Sequence, residues 1–178
     1  MNSKNKKSIL REFLSYLIVA IAGALFAISV RIFIIEPYIV PTPSMAPTLL
    51  VSDRVIVNKL QYKFTEISRG DIVAIYLPEE DKDLVKRVIG LPGEEINLTD
   101  NGEIYIDGEK LNEPYISENV EPYYNNEFFE LDPDQYFLMG DNRNNSSDSR
   151  VFGPVKSSLI FGKVFFIYGP FSRIGTVN

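Results

Sequence analysis

The chain has 178 residues, of which 45% are hydrophobic, and its formal net charge at pH 7 is -6. This length and composition favour one folded domain over wholesale disorder, and the acidic balance excludes nucleic acid as the expected partner. The sequence contains neither cysteine nor histidine. Disulfides, zinc–thiolate sites and a Ser-His-Asp triad are therefore excluded, and we expect no metal and no cofactor.

The first predicted element is an apolar segment at residues 13–35, interrupted by a single charge at Arg31. It is long enough to cross a bilayer, which takes about 20 apolar residues, if the arginine side chain reaches the interface. Residues 1–35 contain five basic residues and one acidic residue, whereas the remainder contains 13 basic and 23 acidic residues. Basic residues before an apolar run indicate a cytoplasmic N-terminus. We therefore predict a cytoplasmic segment at 1–12, a transmembrane anchor at 13–35 and an extracytoplasmic domain at 36–178, which places the protein in the cell membrane as a single-pass protein.

Two alternatives to an anchor are a cleaved signal peptide and a buried core helix. The charge-free run at 13–30 is longer than the apolar region of a signal peptide, which usually has about 7–15 residues. A clean small-x-small cleavage site does not follow it. The sequence therefore favours an uncleaved anchor.

The chain after residue 36 predicts β-strands. Residues 54–60 and 71–76 are rich in branched and aromatic side chains and are bounded by polar turns. Asp107-Gly108 lies within the alternating pattern of residues 103–111, which is typical of a β-hairpin. Further strands are predicted at 135–139 and 161–168. Because a long amphipathic helical pattern is absent, we expect a mainly β fold with one antiparallel domain.

Residues 112–134 are acidic and aromatic. This segment is expected to be a surface loop with some side chains tucked in, or part of a substrate cleft. The aromatic residues are Tyr115, Tyr123, Tyr124, Phe128 and Phe129.

Ser44 follows the apolar segment, between prolines at positions 41, 43 and 47. Proline fixes φ and disfavours helix at the preceding residue, so we expect an extended, stiff loop. Without histidine, a nucleophilic serine needs another base, and lysine is a known substitute. Lys86 is the candidate. Taken alone, a serine in such a segment is usually part of a linker, and a lysine such as Lys86 is usually a solvated strand residue.

A lysine acts as a base only when it is neutral, so burial must lower its pKa from the ordinary value near 10.4. Leu84, Val85, Val88 and Ile89 are the apolar neighbours expected to provide that burial.

Residues 140–150 form a third pattern, eleven residues without one apolar side chain. Such a loop supports an active site through hydroxyls and ion pairs, or binds calcium through oxygen ligands. Two arginines accompany its two acids, and EF-hand spacing is absent, which argues against calcium.

Together these patterns resemble the bacterial type I signal peptidases (leader peptidases), in the short form with a single anchor. The resemblance extends from the anchor to near the C-terminus, and the absence of histidine favours the bacterial or organelle type over relatives that use histidine as the base. It rests on Ser44-Met45-x-Pro47-Thr48-Leu49, Arg69-Gly70-Asp71-Ile72-Val73, Lys86-Arg87-Val88-x-Gly90-x-Pro92-Gly93 and Gly140-Asp141-Asn142-Arg143-x-x-Ser146-x-Asp148-Ser149-Arg150.

The resemblance implies the signal-peptidase or LexA-like antiparallel β fold and a serine endopeptidase that removes signal peptides. Its partners would be the lipid bilayer and exported preproteins with Ala-x-Ala type sites. Ser44 would be the nucleophile and Lys86 the general base. The Ser44 N–H and the Thr42 hydroxyl would hold the oxyanion, and Ser146 would orient the lysine amine. The supporting ion pairs would be Arg87 with Asp141 and Asp148 with Arg150, and the substrate-lining residues Val40 and Pro41.

Two features depart from the family pattern. Pro43 precedes the serine where many relatives have glycine or an acid, and the stretch between Lys86 and Gly140 leaves no room for the larger insertion of some relatives. The alternatives are another Ser/Lys peptidase, such as one that matures a pilin, or a self-cleaving regulator, although a regulator would normally carry a DNA-binding module. A non-catalytic anchored β domain is the alternative from a different class.

Overall fold

A single long helix, α1 (Ser3–Phe33), begins the fold in the computed structural model, which describes residues 3–116 and 126–177 and the side chains from residue 11 onward. Arg11–Phe33 is long and apolar enough to cross a membrane, and none of that window is buried against the rest of the chain. Apolar residues surround the helix on all sides, which is typical of a membrane span and not of an amphipathic surface helix. Its exposure argues against the core-helix alternative.

Twelve strands and two four-residue helices follow α1 in the part of the chain that the structure describes. The helices are α2 (Gln61–Phe64) and α3 (Ser149–Phe152). The strands are β1 (Ile35–Ile39), β2 (Arg54–Asn58), β3 (Ile72–Leu77), β4 (Lys82–Gly90), β5 (Glu95–Leu98), β6 (Ile104–Ile106), β7 (Glu109–Lys110), β8 (Glu127–Glu130), β9 (Gln135–Met139), β10 (Val155–Lys156), β11 (Ile160–Gly169) and β12 (Gly175–Thr176).

The strands form two antiparallel sheets. The larger has the order β1-β2-β11-β3-β4-β9-β10, with β12 paired to β11, and the smaller has the order β7-β6-β5-β8. The predicted mainly antiparallel β fold with one N-terminal apolar helix is therefore confirmed. The late strand β11 lies between β2 and β3, so the centre of the larger sheet joins residues about a hundred positions apart.

The predicted strands agree with β2, β3, β9 and β11, and the predicted hairpin joins β6 to β7. Asp107 and Gly108 both have positive φ, 50° and 83°, as a two-residue hairpin turn of this kind requires. The prediction of a loop over residues 112–134 is wrong at β8, where the chain forms a strand. There Phe128 points outward and Phe129 packs on Phe137, an alternation typical of a strand. Tyr123 and Tyr124 lie outside the described residues.

The larger sheet curls around a buried apolar cluster, and two of its edges face each other as a result. Tyr38 on β1 and Val85 on β4 pack against the same cluster, although three strands separate β1 from β4 in the sheet. Two strand edges have no neighbouring strand among the described residues: the outer edge of β1, and the edge of β4 at residues 82–86 that faces away from β3. The Tyr38 hydroxyl donates a hydrogen bond to Asp83 across this gap. The gap is a cleft between two free strand edges, and the candidate site lies at its end. The members of the cluster are Val40, Met45, Leu49, Val55, Val57, Ile72, Ala74, Val164 and Ile167.

Candidate active site

Ser44 lies in a single turn of 3₁₀ helix, Pro43–Met45, so the loop is not extended throughout as predicted. Pro43 fits the first position of this turn because its φ is preset and its missing N–H is not needed there. Met45 and Leu49 are buried in the core of the larger sheet and fix the loop from below. The Thr42 hydroxyl oxygen is 3.3 Å from the Ser44 Oγ. The loop therefore holds two hydroxyls side by side over the core.

Lys86 lies inside β4, and its Nζ donates a hydrogen bond of 3.0 Å to the Ser44 Oγ. The residue is 2% exposed. Burial lowers the pKa of Lys86 because the ammonium loses its hydration. The negative charge of Asp148 opposes this shift, and the positive charge of Arg150 adds to it. The structure thus places the two candidate side chains within hydrogen-bonding distance of each other. Burial favours the neutral form of Lys86, which is the form that a lysine base needs.

Half of the predicted apolar wall around Lys86 lies on the wrong face of the sheet. Side chains alternate along a strand, so Leu84 and Val88 share the face of Lys86, while Val85 and Ile89 point the other way. The packing agrees, because Leu84 and Val88 belong to one apolar cluster and Val85 and Ile89 to two others. Val73, opposite Lys86 on β3, takes part in the wall and was missed by the sequence analysis.

Gly140 brings the loop at 140–150 against the serine. A Cβ at this position would overlap the Ser44 carbonyl oxygen and the Ser146 Oγ, so only glycine allows this approach. The Asn142 N–H donates to the Ser44 carbonyl at 3.0 Å, and its side-chain amide donates to the Pro43 carbonyl at 3.2 Å. The end of β9 and the serine loop are therefore held together backbone to backbone.

We expect Gly140→Ala to reduce kcat by about 100-fold, because a displacement of roughly 1 Å at a catalytic group costs that much. The added methyl group meets backbone as well as the Ser146 side chain, so the serine loop must move. Gly153→Ala is a poor control because Gly153 has a φ of 81°. Gly23→Ala, in α1 with open space around it, is the better one. Steady-state cleavage rates would measure the effect, and a wild-type rate for Gly140→Ala would contradict it.

The predicted pair of Arg87 and Asp141 is formed and is buried. Arg87 donates through Nε and Nη2 to the two carboxylate oxygens at 2.8 and 2.7 Å, and the side chains are 2% and 0% exposed. The Thr48 hydroxyl donates to the same carboxylate at 2.5 Å, and Arg87 also donates to the Gly70 carbonyl at 2.8 Å. This two-pronged pair joins β4, the serine loop and the loop at 140–150. Thr48 belongs to the motif Ser44-Met45-x-Pro47-Thr48-Leu49, but its hydrogen bond to Asp141 was not predicted from the sequence.

The second predicted pair, Asp148 and Arg150, is also formed, with two hydrogen bonds of 2.8 Å. Asp148 is fully buried and accepts from the Gly140 N–H at 3.0 Å. The two acids of this loop thus bind arginines, which leaves the calcium alternative without its ligands. Within 3–116 and 126–177 the structure contains no cluster of three or more acidic residues that could hold a metal.

Ser146 lies beside the dyad, although its predicted contact with Lys86 is not formed. Its Oγ is buried against Gly140 and has no hydrogen-bond partner among the residues described. Its role in orienting the lysine stays a prediction. The two proposed lining residues differ, since Val40 is buried under the serine loop and Pro41 is exposed.

Two further side chains at the site were missed by the sequence analysis. Glu113 forms an ion pair with Arg143, and the ring of Tyr115 lies 3.9 Å from the Arg87 guanidinium carbon. The sequence marked this segment as acidic and aromatic, but nothing in it indicated which arginines it would meet.

Comparison with known proteins places the whole chain in one group. Residues 10–169 match the family model described as signal peptidase, peptidase S26. A probable signal peptidase I-1 of a Synechocystis species is 40% identical over 177 residues, covering 95% of this chain and 87% of that protein. Signal peptidase I of Bacillus licheniformis is 39% identical over 97% of this chain and 95% of its own length, and signal peptidase I S of Bacillus subtilis is 38% identical over 99% and 98%. A solved signal peptidase I from Enterococcus faecalis, 34% identical, aligns with a TM-score of 0.48 over 56% of this chain and 97% of that one.

Proposed function

Because the chain belongs to the signal peptidase family, peptidase S26, we propose that it is a membrane-anchored serine endopeptidase that removes signal peptides from exported preproteins with a Ser44/Lys86 dyad. The observation that carries this proposal is the 3.0 Å hydrogen bond between a buried lysine amine and the Ser44 hydroxyl. Burial lowers the pKa of Lys86 toward the range in which a neutral amine is available as a base.

In the proposed reaction the Ser44 Oγ attacks the scissile carbonyl carbon while Lys86 takes the hydroxyl proton. The tetrahedral intermediate then expels the amine, which receives that proton from the lysine, and an acyl-enzyme remains. A water molecule, deprotonated by the neutral lysine, attacks the ester carbon, and as the bond to Oγ breaks the lysine ammonium returns the proton to Ser44, which releases the carboxyl product. Lysine thus performs both proton transfers that histidine performs in a Ser-His-Asp triad.

The oxyanion would be held by the Ser44 backbone N–H and the Thr42 hydroxyl. The position of Thr42 supports this role, since its Oγ1 is 3.3 Å from the attacking oxygen. A donor of this kind lowers the barrier by roughly 3 kcal/mol. Ser146 would complete the site by accepting a hydrogen bond from the Lys86 amine, and its buried, unpartnered hydroxyl is available for that.

The cleft between β1 and β4 suits a substrate in extended conformation. Two free strand edges offer unpaired backbone N–H and C=O groups, so a peptide can bind by adding a strand. In an extended peptide the first and third residues before the cut point to the same side. Both side chains would meet the floor of the cleft near Val40 and Pro41. This supports a preference for small substrate residues at the first and third positions before the cut, and no size limit at the second.

The anchor would set the height of this cleft above the bilayer. Only Ile34 separates the end of α1 from the start of β1, so the cleft wall continues directly from the helix. Basic residues before the helix support a cytoplasmic N-terminus and an extracytoplasmic catalytic domain. Holding enzyme and preprotein on one surface raises their effective concentration.

We expect the 178-residue chain in detergent to cut a preprotein with an Ala-x-Ala site after the second alanine. Replacing either alanine of the substrate by leucine should reduce the rate at least tenfold, because the larger side chain meets a packed floor. Replacing the middle residue should change it less than threefold. Mass spectrometry of the products locates the cut, and equal sensitivity at all three positions would contradict the proposed cleft.

A further inference from the structure

One short segment outside the dyad connects the smaller sheet to both halves of the site. It comprises residues 112–116, which we name the brace, and it follows β7 directly. Leu111 fixes its start by donating its N–H to the Ile104 carbonyl at 2.8 Å. Leu111 and Tyr115 pack against the apolar cluster of the smaller sheet, and Pro114 restricts the backbone between them. The brace therefore has a firm base away from the serine.

The first contact of the brace is a buried ion pair with the loop at 140–150. The Arg143 guanidinium donates from Nη1 to Glu113 at 3.0 Å and pairs with it through Nη2 as well, and the two side chains are 1% and 8% exposed. The Arg143 Nε donates to the Gly140 carbonyl at 3.1 Å. Because Gly140 touches both Ser44 and Ser146, this pair fixes the loop where it meets the nucleophile.

The second contact of the brace is with the strand that carries the lysine. The Tyr115 ring lies over the Arg87 guanidinium at 3.9 Å, a cation–π arrangement. The Tyr115 hydroxyl donates to Glu113 at 2.8 Å, so the two side chains support each other. Burial raises the pKa of Tyr115, which keeps this hydroxyl protonated as the donor. Arg87 in turn pairs with Asp141.

We propose that Glu113 and Tyr115 are positioning residues for the Ser44/Lys86 dyad: from the smaller sheet they hold Arg143 and Arg87, and through these arginines the loop and the strand that form the site. This inference rests on the proposed function, because it takes that dyad as catalytic. Neither residue reaches the reacting atoms.

The test compares Tyr115→Leu, which removes the ring, with Tyr115→Phe, which keeps the ring over Arg87 and loses only the hydroxyl. We expect Tyr115→Leu to lower kcat at least tenfold with KM within twofold of wild type, and Tyr115→Phe to recover most of that loss. The smaller sheet offers a matched control, since Tyr105 donates to Glu103 at 3.0 Å and Lys110 pairs with that acid, all away from the dyad. Tyr105→Leu should leave kcat unchanged.

A second measurement separates positioning from stability. Without the brace, the strand and the loop that enclose Lys86 should pack less tightly, and because burial lowers the pKa of this lysine, the acidic limb of kcat/KM should move to higher pH. The charged groups that act on Lys86 (Asp148, Arg150, Asp141 and Glu80) remain present in these variants. A lower melting temperature with an unchanged limb and unchanged kcat would overturn the proposal.

Glu113→Gln would leave Arg143 buried without its carboxylate and endangers folding. The double variant Glu113→Leu/Arg143→Met removes both charges, and we expect it to fold with kcat still at least tenfold low. Full recovery of kcat in the double variant would overturn the proposal.

The failure of the proposed function would look different from the failure of the brace. The Lys86 pKa can be measured without turnover, from the pH dependence of trace acetylation of Lys86 by acetic anhydride, read by mass spectrometry. An inactive wild-type chain would refute the peptidase, while an upward shift of this pKa in Tyr115→Leu, absent in Tyr105→Leu, would still support the brace. An unchanged Lys86 pKa in Tyr115→Leu, together with an unchanged kcat where the wild-type chain is active, would refute the brace.

Discussion

The chain carrying Ser44→Ala is expected to cleave an Ala-x-Ala preprotein at least about 10⁴-fold more slowly than wild type, because removal of a serine nucleophile leaves only binding and oxyanion stabilisation. The change deletes one oxygen atom from a loop that Met45 and Leu49 hold in the core. We therefore expect the melting temperature to stay within a few degrees of wild type. Gel or mass-spectrometric detection of the mature product measures the loss.

Ser147→Ala is the matched control for this variant, since Ser147 is an exposed serine of the neighbouring loop. It should cleave at the wild-type rate. A Ser44→Ala enzyme that kept a tenth or more of the wild-type rate, at the same bond, would rule out the proposed nucleophile. Loss of activity in both Ser44→Ala and Ser147→Ala would instead indicate that the substitutions disturb the structure of the two neighbouring loops.

The second large effect is expected at Lys86. Lys86→Met removes the amine, and Lys86→Arg retains a cation that does not release its proton near neutral pH, so both should lose at least about 10³-fold in kcat. Lys82 lies on the same strand with its side chain 64% exposed, which makes Lys82→Met the control and predicts wild-type activity for it. An active Lys86→Arg enzyme would show that another group takes the serine proton.

The pH dependence follows from the direction of the Lys86 shift. Since burial favours the neutral amine, kcat/KM should rise with pH through an apparent pKa below that of an ordinary lysine. The unfolded chain binds this proton up to about pH 10.5, whereas the folded chain releases it at lower pH, so Lys86 destabilises the fold at pH 7 and less so as the pH rises. Lys86→Met should therefore unfold at a higher temperature than wild type at pH 7, with the difference shrinking toward pH 10. A less stable methionine variant at pH 7 would contradict the lowered pKa.

Local chemistry in the sequence predicted the parts of the fold that depend on neighbours along the chain. The Asp107-Gly108 turn and β9 at 135–139 are of this kind, because turn residues and alternation act over a few positions. The same is true of α1, which is long and apolar enough to cross a membrane. Ser44 and Lys86 were predicted from their sequence context and the absence of histidine, and the supporting residues from the resemblance to the signal peptidases.

What the sequence did not predict depends on contacts between distant residues. The ion pair of Glu113 with Arg143 spans thirty positions, and β11 reaches back between β2 and β3. These contacts follow from how the sheets curl and meet, which local patterns do not specify. The orientation of Val85 and Ile89 is different, since the alternation of side chains along β4 is a local pattern and points both residues away from Lys86.

The neighbouring positions of Lys86 and Arg87 on β4 have a consequence for misfolding. Adjacent strand residues point to opposite faces, so a slip of β4 by one position that brought Arg87 opposite Ser44 would place Val88, and not a cation, opposite Asp141. The buried Asp141 carboxylate would then lack its partner, and every side chain of β4 would point to the opposite face of the sheet. The fork of two hydrogen bonds at Asp141 fits a guanidinium and not an ammonium. The salt bridge between Arg87 and Asp141 thus stabilises the native register of β4 over a slipped one, and in the native register Lys86 faces Ser44.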